Sequence, residues 1–225
     1  MPEYKPKTPK VVDISKVDGS PHPRKIGFST DKSRYKTSKQ TMGDPLINYE
    51  GKSNPYIDYQ SIDLLLSLQH PRSEGYDEMC FYVMGQVKEI LFKGLHFELF
   101  NAREQIKLDE INNAITILER SIEYVKFIAD AWNILSTIKP EGFNQFRDYL
   151  GTASGQLSFM YRHVEFILGN KSEKMASAHK NVPHVWPEIK KNLETPSLYD
   201  EVIFYLNRKG LSISESVLDR DWKET

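Results

Sequence analysis

The apolar positions of this chain follow helical periods from about residue 54 almost to the end. The longest regular stretch covers residues 77–102, where apolar side chains recur every three or four positions. This spacing gives a helix one wide apolar face, and about seven turns suit the central member of a bundle. The apolar positions of this central helix are Phe81, Met84, Val87, Leu91, Leu95 and Leu99.

A second long helix is predicted over residues 108–139, because Pro140 then ends the apolar period. Gly169 and Asn170 are typical of a helix C-cap, and a polar loop is predicted over residues 171–186. Shorter helices are predicted over residues 59–69, 142–150, 153–168, 187–193 and 197–206. The sequence shows no strand-like alternation of useful length. We therefore predict an all-α fold, a bundle of long amphipathic helices, in a domain that covers residues 54–225.

Two glycines interrupt the pattern of the central helix. Gly85 and Gly94 each cost about 1 kcal/mol relative to alanine inside a helix, so some other interaction has to favour them. Gly85 lies one turn after Phe81 on the apolar side. One interpretation is that a second helix packs closely against the backbone there. The other is that a ligand lies against it, and the residues alone leave both open.

The first 53 residues differ from the rest of the chain in composition and in their lack of a regular apolar pattern. They hold eleven Lys or Arg against six Asp or Glu, with scattered Pro, Gly and Ser and no apolar period. This composition predicts a basic, poorly ordered arm over residues 1–53 that docks on a partner. Aromatic residues are sparse in it and no nucleic-acid-binding motif accompanies it, so we expect no nucleic-acid partner.

Composition limits the classes of protein that remain. The 225 residues carry 30 basic and 31 acidic side chains, which argues against bulk electrostatic attraction to nucleic acid. The single cysteine, Cys80, excludes an intrachain disulfide and fits a reducing compartment. Met1 is not followed by an apolar run, and no apolar run approaches 18 residues. We expect a soluble, cytoplasmic protein with no membrane partner.

Scanning for general catalytic motifs gives little. The sequence has no phosphate-binding loop, no cysteine pair, no HExxH and no GxSxG. His96 and His163 fall within predicted helices, where surface or core-edge positions are expected rather than metal ligation. His179 and His184 share a loop, but no cysteine or acidic cluster completes a metal site with them.

One short segment is more informative. Phe143 and Arg147 are four residues apart, so on one helix they would project from the same face. An arginine beside an aromatic residue offers a bidentate fork to a carboxylate, and the alternative is a salt bridge to Asp148 or to a neighbouring helix. Ser154 and Gly155 form a turn that a flat ligand could approach closely, although Ser154 could equally cap the next helix.

The order of these segments resembles the tryptophan 2,3-dioxygenase family. The resemblance spans about residues 54–222 and leaves the basic arm outside. The matching motifs are Tyr56-x-x-Tyr59, Leu64-Leu65-x-x-Leu68-Gln69-x-Pro71-x-Ser73, Asp77-Glu78-Met79 leading through Phe81 to Glu89, Trp132, Phe146-Arg147-Asp148-x-Leu150-Gly151, Ser154-Gly155, Tyr161-Arg162, Glu165-Phe166-x-Leu168-Gly169-Asn170-Lys171, Pro196-Ser197-Leu198-Tyr199 and Arg220-Asp221-Trp222.

The resemblance implies a haem protein that inserts both atoms of O₂ across the C2–C3 bond of the L-tryptophan indole and gives N-formylkynurenine. By position, Phe81 would pack on the indole and Arg147 would hold the substrate carboxylate. Tyr56 and Tyr59 would close the site from a neighbouring subunit of a homotetramer. The haem edge would contact Trp132, Ser154 and Gly155.

Three departures from the family pattern change what is expected. Gly85 stands where the family carries a distal histidine, and Phe143 stands where it carries a tyrosine. The chain is also expected to lack the C-terminal helices that bring the proximal histidine, so the iron ligand is not identifiable among its histidines. An alternative therefore stays open: a non-catalytic protein, or one completed by a second chain with those helices, that binds an amino acid without autonomous oxygenase activity. A further alternative is a relative that uses another ligand or metal.

Overall fold

The computed structural model describes residues 55–221 and residue 223, and the predicted arm over residues 1–53 lies outside the described residues. The chain divides into two compact units. The described part of the first unit, residues 55–70, contains two short helices, α1 (Pro55–Gln60) and α2 (Ile62–Leu66). Between them, Ser61 has a left-handed backbone with φ of 52°, so the single helix predicted over residues 59–69 is broken there.

The second unit, from Pro71 onward, is built on two long antiparallel helices. These are α3 (Tyr76–Lys107) and α4 (Ile111–Leu135). The turn between them contains Asp109 in a left-handed conformation, with φ of 64°. Arg208 and Lys209 donate hydrogen bonds to its carboxylate and lower its pKa, which ties a later helix to this turn.

The elements that the structure describes after α4 are shorter than the two long helices. They are α5 (Pro140–Asn144), α6 (Arg147–Leu150), a 3₁₀ turn (Gly155–Leu157), α7 (Phe159–Leu168), α8 (Glu173–Ser177), α9 (Trp186–Glu194), α10 (Leu198–Arg208) and α11 (Glu215–Leu218). The described residues contain no strand, so the predicted all-α fold is confirmed. None of the helices in residues 55–221 is long and apolar enough to cross a membrane.

The main core lies around the C-terminal half of α3. Leu95, Leu99, Ala102 and Ile106 are almost fully buried there, and α4, α7 and α10 supply the other side chains of the cluster. A second core cluster joins α7, α8 and α9 through Phe166, Ala176, Val185, Ile189 and Leu193. The two clusters together hold α7 between the long helices and the C-terminal part of the unit.

Two histidines that were expected at the surface or at the core edge are instead fully buried. The rings of His96 on α3 and His163 on α7 are 5.4 Å apart between centroids. The Nδ1 atom of His163 lies 2.5 Å from the side-chain amide nitrogen of Asn192 on α9. A polar contact of this kind allows imidazoles to be buried between helices, so these residues join α3, α7 and α9.

Several predicted boundaries need correction. The predicted helix over residues 142–150 is two helices, α5 and α6, and the predicted helix over residues 153–168 becomes regular only at Phe159. The polar loop predicted over residues 171–186 contains α8, which Ser172 caps by accepting a hydrogen bond from the Met175 N–H. Gly169, with φ of 104°, ends α7 as the predicted C-cap.

Candidate functional site

Three aromatic rings gather where α5 and α6 meet the N-terminal part of α3. Phe146 is completely buried and lies 5.4 Å from Phe81 and 5.1 Å from Phe143, between ring centroids. Phe81 and Phe143 are 6.1 Å apart. Tilted and edge-on rings at these distances attract one another as well as excluding water. Phe146 therefore anchors the short helices on α3 and holds Phe143 beside Phe81.

The start of α3 is fixed by the loop before it. The buried carboxylate of Glu78 accepts hydrogen bonds from the backbone N–H groups of Arg72 and Ser73, at 2.7 and 2.6 Å. Burial alone would raise the pKa of Glu78, but these hydrogen bonds and that of the Ser73 hydroxyl lower it. A Cβ atom on Gly142 would lie 1.9 Å from a carboxylate oxygen of Asp77, so a larger residue there would have to displace the Asp77 side chain.

Two cavities adjoin at Phe143. The first, of about 380 Å³, is almost wholly apolar and is lined by Phe81, Trp132, Leu135, Ser136, Ile138 and Phe143. The second, also of about 380 Å³, has a polar wall and is lined by Phe143, Arg147, Asp148, Leu150, Gly151 and Ala153. The structure thus places a space for a large apolar group next to a space that contains a guanidinium.

Arg147 lies beside Phe143 as predicted, but the two residues are not on one helix. The backbone of Phe146 leaves the helical region between α5 and α6, so Phe143 and Arg147 do not lie on one continuous helix. They nevertheless line the same cavity. Among the described residues, Arg147 forms no ion pair with Asp148 or with a neighbouring helix. Its side chain borders the second cavity.

Gly85 lies on an open part of α3. A Cβ atom there would meet no atom within 4 Å among the described residues, so none of the described helices packs against it. A Cβ atom on Gly94, in contrast, would lie 2.6 Å from the ring of Tyr124 on α4. Of the two interpretations of Gly85, close packing within the described chain is therefore not the one realised.

The remaining predicted site residues are more scattered. Ser154 caps the 3₁₀ turn by accepting a hydrogen bond from the Gln156 N–H, and Ser154 and Gly155 are both exposed. Tyr56 and Tyr59 are exposed on α1 in the first compact unit, and their role at the site stays a prediction.

Phe146 is the residue that sequence reasoning missed. Its signal was its place between Phe143 and Arg147 in an aromatic-rich segment.

No wall residue of either cavity is a histidine or a cysteine. Within the described residues there is also no group of three or more His, Cys, Asp or Glu side chains able to hold a metal ion. The apolar walls and the open surface at Gly151 and Gly155 suit the flat, apolar edge of a macrocycle. They do not supply an axial donor for iron.

Comparison with known proteins decides the family. The sequence pattern of the tryptophan 2,3-dioxygenase family matches residues 42–204, which include every residue of both cavities. The chain belongs to the tryptophan 2,3-dioxygenase family. The match begins within the segment that was predicted to be a basic arm.

Individual members of the family give the same result. The chain is 39% identical over 173 residues to a tryptophan 2,3-dioxygenase of Burkholderia multivorans, covering 77% of this chain and 56% of that protein. It is 40% identical over 171 residues to tryptophan 2,3-dioxygenase 1 of Ralstonia nicotianae, covering 76% and 58%. It is 39% identical over 171 residues to that of Ralstonia pickettii, covering 76% and 62%. The chain thus spans somewhat more than half the length of these curated relatives.

Proposed function

We propose that this chain binds L-tryptophan, or a related aromatic amino acid, and takes part in a haem-dependent insertion of both atoms of O₂ across the indole C2–C3 bond. The product would be N-formylkynurenine or its analogue. The single observation that supports this most is the position of Phe143, which lines an apolar cavity on one side and the Arg147 cavity on the other. An aromatic amino acid needs two such environments next to each other, one for its ring and one for its carboxylate.

The role of Arg147 follows from its chemistry. Its guanidinium is planar, permanently charged and able to donate two parallel hydrogen bonds to one carboxylate. It would hold the substrate by that end and direct the indole past Phe143 towards Phe81. The rings of Phe81 and Phe143, 6.1 Å apart, would then contact the indole and exclude water from it.

Gly85 would leave room for the indole on the exposed side of α3. Because glycine has no side chain, this chain offers no imidazole there to accept a hydrogen bond from the indole N–H. The substrate N–H would need another acceptor or would stay hydrated. Tyr56 and Tyr59 are proposed to close the site from a neighbouring subunit, as the family resemblance implies.

Haem, when bound, would supply the activation of O₂. Trp132, Ser154 and Gly155 are the residues of this chain that we propose to contact its edge. Because the described cavity walls carry no imidazole or thiolate, we assign the iron ligand to none of them. The contributions of this chain are therefore binding, orientation and exclusion of water.

We further propose that the protein works as a homo-oligomer, a tetramer in the family pattern, or with a second chain that supplies further helices. Exposed apolar side chains along α4 support this, since such a surface is usually covered. Ile115, Ile122, Val125, Phe127, Trp132 and Ile134 are the exposed apolar residues of α4. The lone cysteine is compatible with a reducing, cytoplasmic location.

The test uses Arg147→Lys and calorimetric titration with L-tryptophan. Lysine keeps the charge but loses the bidentate fork, so binding should weaken by about 1.5–3 kcal/mol. Tryptamine, which lacks the carboxylate, should bind the parent and the variant equally. Arg120→Lys is the matched control, because Arg120 is exposed and paired with Glu98 away from both cavities.

Three outcomes would contradict the proposal: no binding of L-tryptophan by the parent, equal affinity in parent and Arg147→Lys, or equal loss in Arg120→Lys. Assay of N-formylkynurenine after addition of haem distinguishes an active oxygenase from a protein that only binds the amino acid. A protein that binds the amino acid without autonomous oxygenase activity would show the Arg147 effect and form no product.

A further inference from the structure

A lysine and a tryptophan are paired at the edge of the apolar cavity. Lys88 lies on α3 three residues after Gly85, and its Nζ atom is 3.8 Å from the ring centroid of Trp132 on α4. Trp132 is one of the walls of the cavity. An ammonium group above an indole face at this distance is attracted by the negative potential of the ring.

The environment of the pair strengthens this attraction. The Lys88 side chain is half-buried, and this loss of contact with water lowers the pKa of its ammonium. A cation that has lost part of its hydration interacts more strongly with an aromatic face. Trp132 itself is 59% exposed, so packing restrains its indole less than it would restrain a core residue.

We propose that Lys88 is a positioning residue, whose ammonium holds the Trp132 indole in place as a wall of the apolar cavity and so tightens the binding of an aromatic ring there. The identity of the ring as that of L-tryptophan rests on the proposed function above. The pairing of Lys88 with Trp132 does not depend on it.

The chain contains its own control for this proposal. Lys180 lies over the ring of Trp186 with its Nζ atom 5.8 Å from the centroid. Trp186 packs against the second core cluster and lines neither cavity. Removing the charge of Lys180 should therefore change the surroundings of one tryptophan without changing the cavity.

The first measurement is a ¹⁹F NMR spectrum of the protein labelled with 5-fluorotryptophan, which gives resonances for Trp132, Trp186 and Trp222. Trp132→Phe assigns the signal of interest. Lys88→Met, which keeps the aliphatic stem, should shift or broaden the Trp132 resonance, whereas Lys88→Arg should largely preserve it. Lys180→Met should affect only the Trp186 resonance.

The second measurement is calorimetric titration of the unlabelled proteins with L-tryptophan and with indole. Lys88→Met should weaken both by about three- to tenfold, the size expected for a partly desolvated cation–π contact. Lys88→Arg should stay within about twofold of the parent, and Lys180→Met should not differ from it. If Lys88→Met fails to fold, Lys88→Gln takes its place.

An unchanged Trp132 resonance in Lys88→Met, or unchanged affinity for both ligands, overturns the proposal, as does equal weakening in Lys180→Met. Titration with indole allows the Lys88 proposal to be tested independently of the proposed function, because indole lacks the amino acid part of L-tryptophan. A parent that binds indole but not L-tryptophan would contradict the function while the Lys88 effect is still measured on indole. A parent that binds neither ligand would overturn both.

Discussion

The two ends of α3 belong to one regular helix but have opposite surroundings. Towards its C-terminus, Leu99 is 3% exposed and Gly94 faces the ring of Tyr124, so that a Cβ atom there would force the ring to move. Towards its N-terminus, Gly85 faces open space and Phe81 lines a cavity. The apolar face of α3 is therefore covered by a closed core at one end and borders an open cavity at the other.

This difference separates the core that stabilises the unit from the cavities of the candidate site. The closed end is filled by side chains from α4, α7 and α10. The open end is held by contacts beside the cavity, the buried Phe146 and the hydrogen-bonded Glu78, rather than by filling the cavity itself. A ligand can bind at such an end without displacing the core that keeps the helices together.

The largest expected effect comes from truncating a side chain at each end. Leu99→Ala removes buried methyl groups from the closed core and should lower the free energy of unfolding by about 2–5 kcal/mol. Leu135→Ala, in the wall of the apolar cavity, should lower it by only about 1 kcal/mol, since the space beside it is already empty. Urea unfolding of the two variants and the parent measures both values.

Equal losses in the two variants would contradict the comparison. They would mean that the space around Leu135 is filled in solution, for example by a second chain. The comparison would be strengthened if Leu135→Ala lost less stability than Leu99→Ala without ligand and if its loss relative to the parent became larger with L-tryptophan. The ligand would then stabilise the parent more than the variant, as expected if Leu135 contacts the ligand.

The next expected effect concerns the two glycines. Gly94→His forces an imidazole against Tyr124 and should cost about 1–3 kcal/mol through overpacking. Gly85→His should fold as well as the parent, because the position is open and histidine is the better helix former. It lies one turn from Phe81, so its imidazole could accept a hydrogen bond from a bound indole N–H.

Thermal melts of both variants, with and without L-tryptophan, measure these effects. The ligand should raise the melting temperature of Gly85→His more than that of the parent and should not rescue Gly94→His. A destabilised Gly85→His that does not respond to the ligand would mean that this glycine is needed for close packing against another chain.

The glycines also show how much of the fold and site the sequence could predict. The long amphipathic helices and the Gly169 C-cap follow from local pattern alone, and the structure has both. Gly85 and Gly94 look alike in sequence. What distinguishes them is Tyr124, thirty residues away from Gly94 on another helix, and no local rule predicts that contact.

The break between α5 and α6 has a similar cause. Local pattern favours one helix through Phe143 and Arg147, but Phe146 turns in to bury its ring against Phe81 and the backbone leaves the helical region there. Tertiary packing outweighs helix propensity at such a point. Residue types alone therefore singled out Phe143 and Arg147, which line one cavity, while the geometry of that cavity depends on the buried Phe146 ring, which the sequence analysis did not single out.

The smallest expected effect concerns the closed part of the unit at low pH. His179 is 4% exposed, and its Nε2 atom has no hydrogen-bond partner among the described residues. Burial lowers its pKa, and the nearby guanidinium of Arg162 lowers it further. The unfolded chain, with an ordinary imidazole of pKa about 6.5, then binds a proton that the folded protein resists.

Well above pH 6.5, His179 is almost unprotonated in both states, so it has little effect on stability. As the pH falls below 6.5, the unfolded state is favoured, by at most about 1.4 kcal/mol per pH unit for one proton.

Urea unfolding between pH 7.5 and pH 5.5 should therefore show a loss of stability on acidification that is smaller in His179→Gln. His184→Gln is the matched control, since His184 is exposed five residues further on, and it should follow the parent. If His179→Gln loses as much stability on acidification as the parent, the buried imidazole is not what couples this core to pH.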